Sequence, residues 1–203
     1  MILYKFRPLG TQKNIDRIQN IFEKGFYCSN FLDFNDINEG VYTVSETPIS
    51  ITLNQKLKHR ICSFSINAAL KSQLMWGHYA NAGMGVAIEL DTKDCTEIKE
   101  VHYGNGENRY NTIIEILTNK SAQWSHETEY RYISTDSNKY YKTAIKKVYF
   151  GFPYGNLINY DEIKTKHIKL KKFLNYSEKL KTICSEKGIT FEKYEFSEHA
   201  HSS

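Results

Sequence analysis

The chain has 203 residues, enough for one domain with a small appendage, and its 40% hydrophobic and 25% charged residues exclude a disordered or fibrous protein. A formal charge of +4 is too small by itself to mark a nucleic-acid binder. No apolar run approaches membrane-spanning length, no basic-then-apolar leader opens the sequence, and Cys28, Cys62, Cys95 and Cys184 show no Cys-x-x-Cys spacing. A cytoplasmic protein with reduced, mostly buried thiols and no membrane association is expected.

Leu3 to Arg7 alternates as a strand, with Tyr4 and Phe6 on one face and Lys5 and Arg7 on the other, and Pro8 ends its pairing capacity. Residues 14–24 read as a helix with Ile15, Ile18, Ile21 and Phe22 at helical spacing, Asn14 as N-cap and Gly25 as the stop. A short strand at 26–29 and a packed loop at 31–40 follow, the loop carrying Asn35, Asp36 and Glu39 between aromatics. Residues 41–60 alternate weakly and suit a hairpin or a mobile insertion. Residues 61–66 form a strand with Ser63 and Ser65 on one face and Cys62, Phe64 and Ile66 on the other.

Residues 67–74 suit a short helix that leads into the segment Met75-Trp-Gly-His-Tyr-Ala80. Strands are expected at 86–90, in a central position, and at 98–103, with a turn at 104–108. A helix spans 110–120, with Ile113, Ile114 and Leu117 on one side. Trp124 stands on a short loop. The strand after it places Glu127, Glu129 and Arg131 on one face and Thr128, Tyr130 and Tyr132 on the other. Further strands fall at 144–151 and 189–196, with a helix at 174–187 closed by Gly188. The strands cluster rather than alternate with helices, which predicts an α+β fold of mixed, mainly antiparallel sheets with flanking helices. The expected organisation is a core at 1–155, a C-terminal helix and strand packed on it at 156–196, and a disordered tail at 197–203.

Three strands thus share one design, a polar row backed by aromatic or apolar residues. Were the three neighbours, Lys5 and Arg7, Ser63 and Ser65, and Glu127, Glu129 and Arg131 would line one cleft. An arginine fork suits a phosphate, and serine hydroxyls suit a ribose or an amide. A carboxylate beside a sugar stabilises an oxocarbenium-like transition state, and a second one orients or deprotonates the nucleophile. Cleavage of the nicotinamide–ribose bond of NAD needs this set, with Trp76, Tyr79 or Trp124 stacked on the nicotinamide.

Two resemblances follow from these residues. Leu3-Tyr-Lys-Phe-Arg7, Phe34-Asn-Asp36 with Glu39, Cys62-Ser-Phe-Ser65, Met75-Trp-Gly-His-Tyr-Ala80 with Gly85, and Trp124 with Glu127-Thr-Glu-Tyr-Arg131 resemble a bacterial family known only as a domain of unknown function, number 2971 in its series. The match covers about residues 3–151, and Ile37 stands where that family commonly has proline. The order Arg, Ser-x-Ser, Glu-x-Glu is also similar to ADP-ribosyltransferases of the arginine–serine–glutamate class. That resemblance implies a split β-sandwich and NAD as substrate. Arg7 would be the NAD-binding arginine, Ser63 and Ser65 the serine strand, Glu129 the catalytic glutamate and Glu127 the glutamate that engages the acceptor. Phe64 replaces the usual threonine. Such an enzyme would modify a protein or nucleic-acid acceptor, in a toxin or phage-defence setting with an immunity partner.

Plainer readings stand beside these. Glu127, Glu129 and Arg131 also suit a buried ion network, Lys5 and Arg7 a charged strand edge, and Ser63 and Ser65 ordinary strand positions. His78 reads either as a catalytic residue or as a hydrogen-bonded structural one, and no second ligand at metal spacing accompanies it. Asn35, Asp36 and Glu39 fit a capped turn more simply than a cation site. A non-catalytic nucleotide- or nucleic-acid-binding module, with basic residues interleaved among Tyr and Trp, is the principal alternative; a metal-dependent nuclease built on His78, Glu127 and Glu129 is the third.

Overall fold

The computed structural model describes residues 1–34, 49–93, 95–104, 112–135, 139–153, 162 and 167–194. It is an α+β structure built on a seven-stranded sheet. The strands of that sheet are β1 (Ile2–Pro8), β3 (His59–Ser65), β4 (Gly85–Asp91), β5 (Ile98–Glu100), β8 (Glu129–Thr135), β10 (Ala144–Phe150) and β11 (Thr190–Lys193), in the order β11-β10-β4-β1-β3-β8-β5. All neighbours are antiparallel except β10 and β11. Two small pairs stand apart, β2 (Phe26–Tyr27) with β9 (Tyr140–Tyr141) and β6 (His102–Gly104) with β7 (Asn119–Ser121).

Alternation along the strands fixes what each face of the sheet buries. Leu3, Cys62, Phe64, Ile88, Leu90, Val148 and Phe150 point to one face. There they pack with Ile15, Ile18 and Ile21 of α1 (Gln12–Lys24) and with Leu170, Phe173, Leu180 and Cys184 of the C-terminal helix (Ile168–Glu186). The opposite face carries two smaller apolar clusters. Tyr4, Phe6 and Ala87 meet Met75, Trp76 and Ala80, and Ile61 and Ile133 meet Phe31 and Leu117. Ser63 and Ser65 lie on this second face on β3, next to β1, and Glu129 and Arg131 lie on it one strand further out, on β8.

Local chemistry explains several boundaries that differ from the sequence-based expectation. The α1 helix starts earlier than expected, because Thr11 and not Asn14 is the cap: the Thr11 hydroxyl accepts the Asn14 amide at 3.3 Å. It ends at Gly25, whose φ of 101° places it in the region that favours glycine. Residues 49–57 form a helix, α2 (Ile49–Leu57), in place of the expected hairpin or insertion. The single helix expected at 67–74 is two, α3 (Asn67–Leu70) and α4 (Gln73–Tyr79), because Ser72 breaks the first and caps the second.

The strand expected at 98–103 divides at buried Val101, and its halves join different sheets. The helix expected at 110–120 contracts to α5 (Ile113–Leu117). A capping box of Thr112 and Glu115 starts it, and β7 follows directly. The C-terminal helix, α6, begins at Ile168 with His167 as its cap, earlier than the expected 174. The loop residues Asn35, Asp36 and Glu39, the turn at 105–108 and the tail at 197–203 lie outside the described residues.

Candidate functional site

The centre of the sheet is not continuously paired. β1 makes seven register pairs with β4, and β3 makes seven with β8, but β1 and β3 share only Tyr4↔Ser65. Beyond that pair the edge of β3 turns to another partner: Ser29 and Ile61 exchange both backbone hydrogen bonds, at 2.9 and 2.8 Å. The sheet therefore opens between Lys5–Arg7 on one side and Ile61–Ser63 on the other. A cleft of about 550 Å³ occupies that opening.

The register also corrects one geometric expectation. Tyr4 pairs with Ser65, so Tyr4 and Phe6 share the face of the serines and carboxylates, while Lys5 and Arg7 point to the opposite face, with Cys62 and Phe64. The two sets meet only because the cleft passes through the sheet. Lys5 Nζ reaches across it and donates to the Ser63 carbonyl. The Arg7 side chain lines the cleft with no hydrogen bond or ion pair to another described residue.

On the second face the carboxylates sit in an ion network. Lys120 Nζ lies 2.6 Å from Glu127 Oε2 and 3.1 Å from Glu129 Oε2. Arg131 grips Glu129 with two donors, Nε at 2.7 Å and Nη2 at 3.2 Å, and gives Nη1 to the Leu117 carbonyl at 2.6 Å. The Tyr79 hydroxyl donates to Glu127, and the Ser63 side chain stands beside Glu129 in the same cleft. Tyr103 accepts the Glu129 amide at 2.7 Å. Aromatic rings close the network, with Trp124 under Lys120 at 4.8 Å and Phe34 against Arg131 at 5.1 Å.

Glu129 is 2% exposed and Arg131 fully buried. Burial pushes the Glu129 carboxyl up, but the charges of Arg131 and Lys120 outweigh it, with help from the Arg131 hydrogen bonds and the neighbouring Ser63, and hold it down at about 2. Burial likewise lowers Lys120, and the two glutamates more than restore it, so that it stays charged.

Glu127 reaches this network by a route the alternation rule does not foresee. It ends a 3-10 helix, Ala122–Glu127, and does not belong to the strand. Thr128, with φ 42° and ψ 55°, reverses the chain before β8 begins. The remaining candidates fall in two groups. Tyr79 and Ser65 line the cleft. Trp76 does not: it is 1% exposed, donates Nε1 to the Leu70 carbonyl at 2.8 Å and packs edge-on to Phe6. It is a core residue, and its ring stacks on Tyr194 at 5.2 Å. His78 is exposed and faces His126, with ring centroids 6.2 Å apart, away from the carboxylates' hydrogen bonds. Trp124 reaches the site only through Lys120.

Two cationic contributors are not evident from the sequence pattern. Lys120 falls within the expected helix, although Thr112-x-x-Glu115 is a legible start signal for a shorter one. Arg17, on the exposed side of α1, faces the cleft from a distant element. Among the described residues the lining holds five cations, Lys5, Arg7, Arg17, Lys120 and Arg131, against three carboxylates, Asp33, Glu127 and Glu129. The excess suits an anion.

Fold and site together define an α+β protein whose central sheet parts around a cationic cleft with a buried carboxylate pair at its edge. No family model, no curated protein and no solved structure matches this chain. Among the described residues no helix is long and apolar enough to cross a membrane.

Proposed function

We propose that the cleft binds a pyrophosphate-bearing nucleotide, with NAD as the candidate substrate, and that the chain is an ADP-ribosyltransferase-like enzyme. The observation that supports this most is the meeting of Ser63, Glu129 and Glu127 beside a gap in the sheet where Arg7 carries a charge with no carboxylate on it. In this reading Arg7 and Lys5 hold the pyrophosphate, Ser63 orients the ribose, and Tyr79 borders the nicotinamide. Glu129 stabilises positive charge as it develops at the ribose C1 while the bond to nicotinamide breaks and its electron pair leaves with the ring. Glu127 takes the proton of the attacking acceptor, a protein or nucleic-acid group or water.

One observation favours a second reading, a nucleotide-binding module without catalysis. Glu129 is already neutralised by two cations and almost wholly buried, which leaves little charge for a developing oxocarbenium. The nuclease reading has less support. Lys120 Nζ sits between the two carboxylates, in the place a bridging divalent cation needs, and no group of three metal-ligating side chains occurs among the described residues.

Release of nicotinamide from NAD by the purified chain, alongside calorimetric NAD binding, separates the readings. Turnover that disappears in Glu129→Gln and falls in Ser63→Ala, with both variants folded, supports the enzyme. Binding without turnover supports the module. Neither binding nor turnover rejects both.

A further inference from the structure

Two cysteines lie in the wall of this cleft, and the proposed function gives them no part. Ser29 and Ile61 form a hydrogen-bonded antiparallel pair, since each donates to the other. The residues one step along, Cys28 and Cys62, are therefore opposite one another at a non-hydrogen-bonded position. Cα atoms there stand about 4.5 Å apart and the side chains approach most closely, inside the range that a disulfide spans. The Cys28 amide indeed turns the other way, to the Lys139 carbonyl at 2.8 Å. The Cys28 thiol donates to the Phe26 carbonyl at 3.6 Å, beside the Cys62 sulfur.

Both are buried, Cys28 at 0% and Cys62 at 2% exposed, with Cys62 at the cleft wall. Cys62 lines the cleft and shares a sheet face with Lys5 and Arg7. Burial pushes the Cys62 thiol up, yet the neighbouring Cys28 thiol and the charges of Lys5 and Arg7 bring it down to about 7. Cys28 is pushed well up by its Cys62 neighbour and by burial. The pair thus has one nucleophilic and one resolving partner. Cys184 contrasts with it, alone in the core and pushed up to about 11 by burial.

We propose that Cys28 and Cys62 are a peroxide-responsive dithiol whose oxidation to a disulfide tunes anion binding in the cleft. The Cys62 thiolate attacks hydrogen peroxide; the O–O bond breaks, an S–O bond forms, and the departing hydroxide takes a proton to become water. The Cys28 sulfur then attacks the Cys62 sulfur. The S–S bond forms, the S–O bond breaks, and the Cys28 proton leaves with that oxygen as a second water. Two electrons pass from the thiols to one peroxide. The disulfide ties β2 to β3 and removes the thiolate that faces Lys5 and Arg7, so both cations become available to a ligand.

Intact-mass spectrometry and peptide mapping of the folded full chain after peroxide test the chemistry. The expected result is loss of two hydrogen masses and a peptide joining Cys28 to Cys62, formed before Cys95 or Cys184 reacts. In Cys28→Ser the Cys62 sulfenic acid persists and is trapped by dimedone; Cys62→Ser gives no adduct at Cys28. A folded protein that forms no disulfide, or a different one, overturns the proposal. Calorimetry with inorganic pyrophosphate at about pH 8 tests the tuning, with binding roughly fivefold tighter after oxidation. The tuning rests on the anion reading of the cleft, and the mass measurement does not. A disulfide with unchanged pyrophosphate affinity overturns the tuning alone, and absence of pyrophosphate binding in both states counts against the anion reading itself.

Discussion

Replacing Glu129 by glutamine keeps the shape of the side chain and removes its charge. Lys120 then loses one of its two carboxylates, and Arg131 the charge that takes its Nε and Nη2. The effect can be worked from the wild-type carboxyl, whose ordinary value of 4.5 is held down to about 2 in the fold. A depressed carboxyl contributes stability that is fully present above its unfolded value and is lost as pH falls through the folded one. The shift corresponds to about 3 kcal/mol at neutral pH. That agrees with the roughly 3–5 kcal/mol lost when one member of a buried ion pair is removed. Urea unfolding of wild type and Glu129→Gln should therefore differ by about 3 kcal/mol at neutral pH and by roughly half that at about pH 3. A gap below about 1 kcal/mol at neutral pH, or one that does not narrow in acid, would refute the account of the network. The experiment also guards the enzymatic test, since lost turnover in this variant means something only at temperatures where it stays folded.

Arg7→Ala is expected to weaken pyrophosphate binding about tenfold by calorimetry, with a midpoint in urea close to wild type, because the guanidinium holds no carboxylate among the described residues. Thr128→Gly should raise stability by roughly 1 kcal/mol in thermal unfolding. A β-branched residue there adopts a left-handed conformation and buries a hydroxyl for which no partner occurs among the described residues. Gly85→Ala should cost roughly 1–3 kcal/mol in the same assay, since the new methyl would meet the Arg7 carbonyl and lie 2.8 Å from Ala80 Cα.

Period-2 alternation makes the polar row of β3, and Glu129 with Arg131 on β8, legible in the sequence, because a side-chain period needs only the local chain. The same rule puts Glu127 on that row for the wrong reason. Its side chain does join Glu129, but by way of a 3-10 turn and a left-handed Thr128, and no periodicity encodes that reversal. Helix ends are legible where a cap speaks, as at Gly25, and misleading where an uncapped apolar run suggests more helix, as at Lys120. What no local pattern carries is register. Whether Lys5 and Arg7 share a face with the serines depends on whether β1 pairs odd or even residues with β3, and a shift of one residue reverses the answer.

That register has a chemical consequence, because it separates two kinds of charge. On the face of Glu129, each cation that touches a carboxylate is committed: Lys120 holds one oxygen of each glutamate, and Arg131 holds both oxygens of Glu129. On the far face, Lys5 touches a backbone carbonyl and Arg7 lies near a thiol. Had Arg7 shared that face, it would have lain against Glu129, whose charge Lys120 and Arg131 already balance, and not in the open cleft. The parting of β1 from β3, where Ser29 takes over Ile61, keeps the committed and the available charges a sheet's thickness apart while letting both reach one cavity. A ligand with phosphates at one end and a sugar at the other would span that thickness, so the same feature that defeats a reading of one polar face is the strongest geometric argument for an elongated anionic ligand.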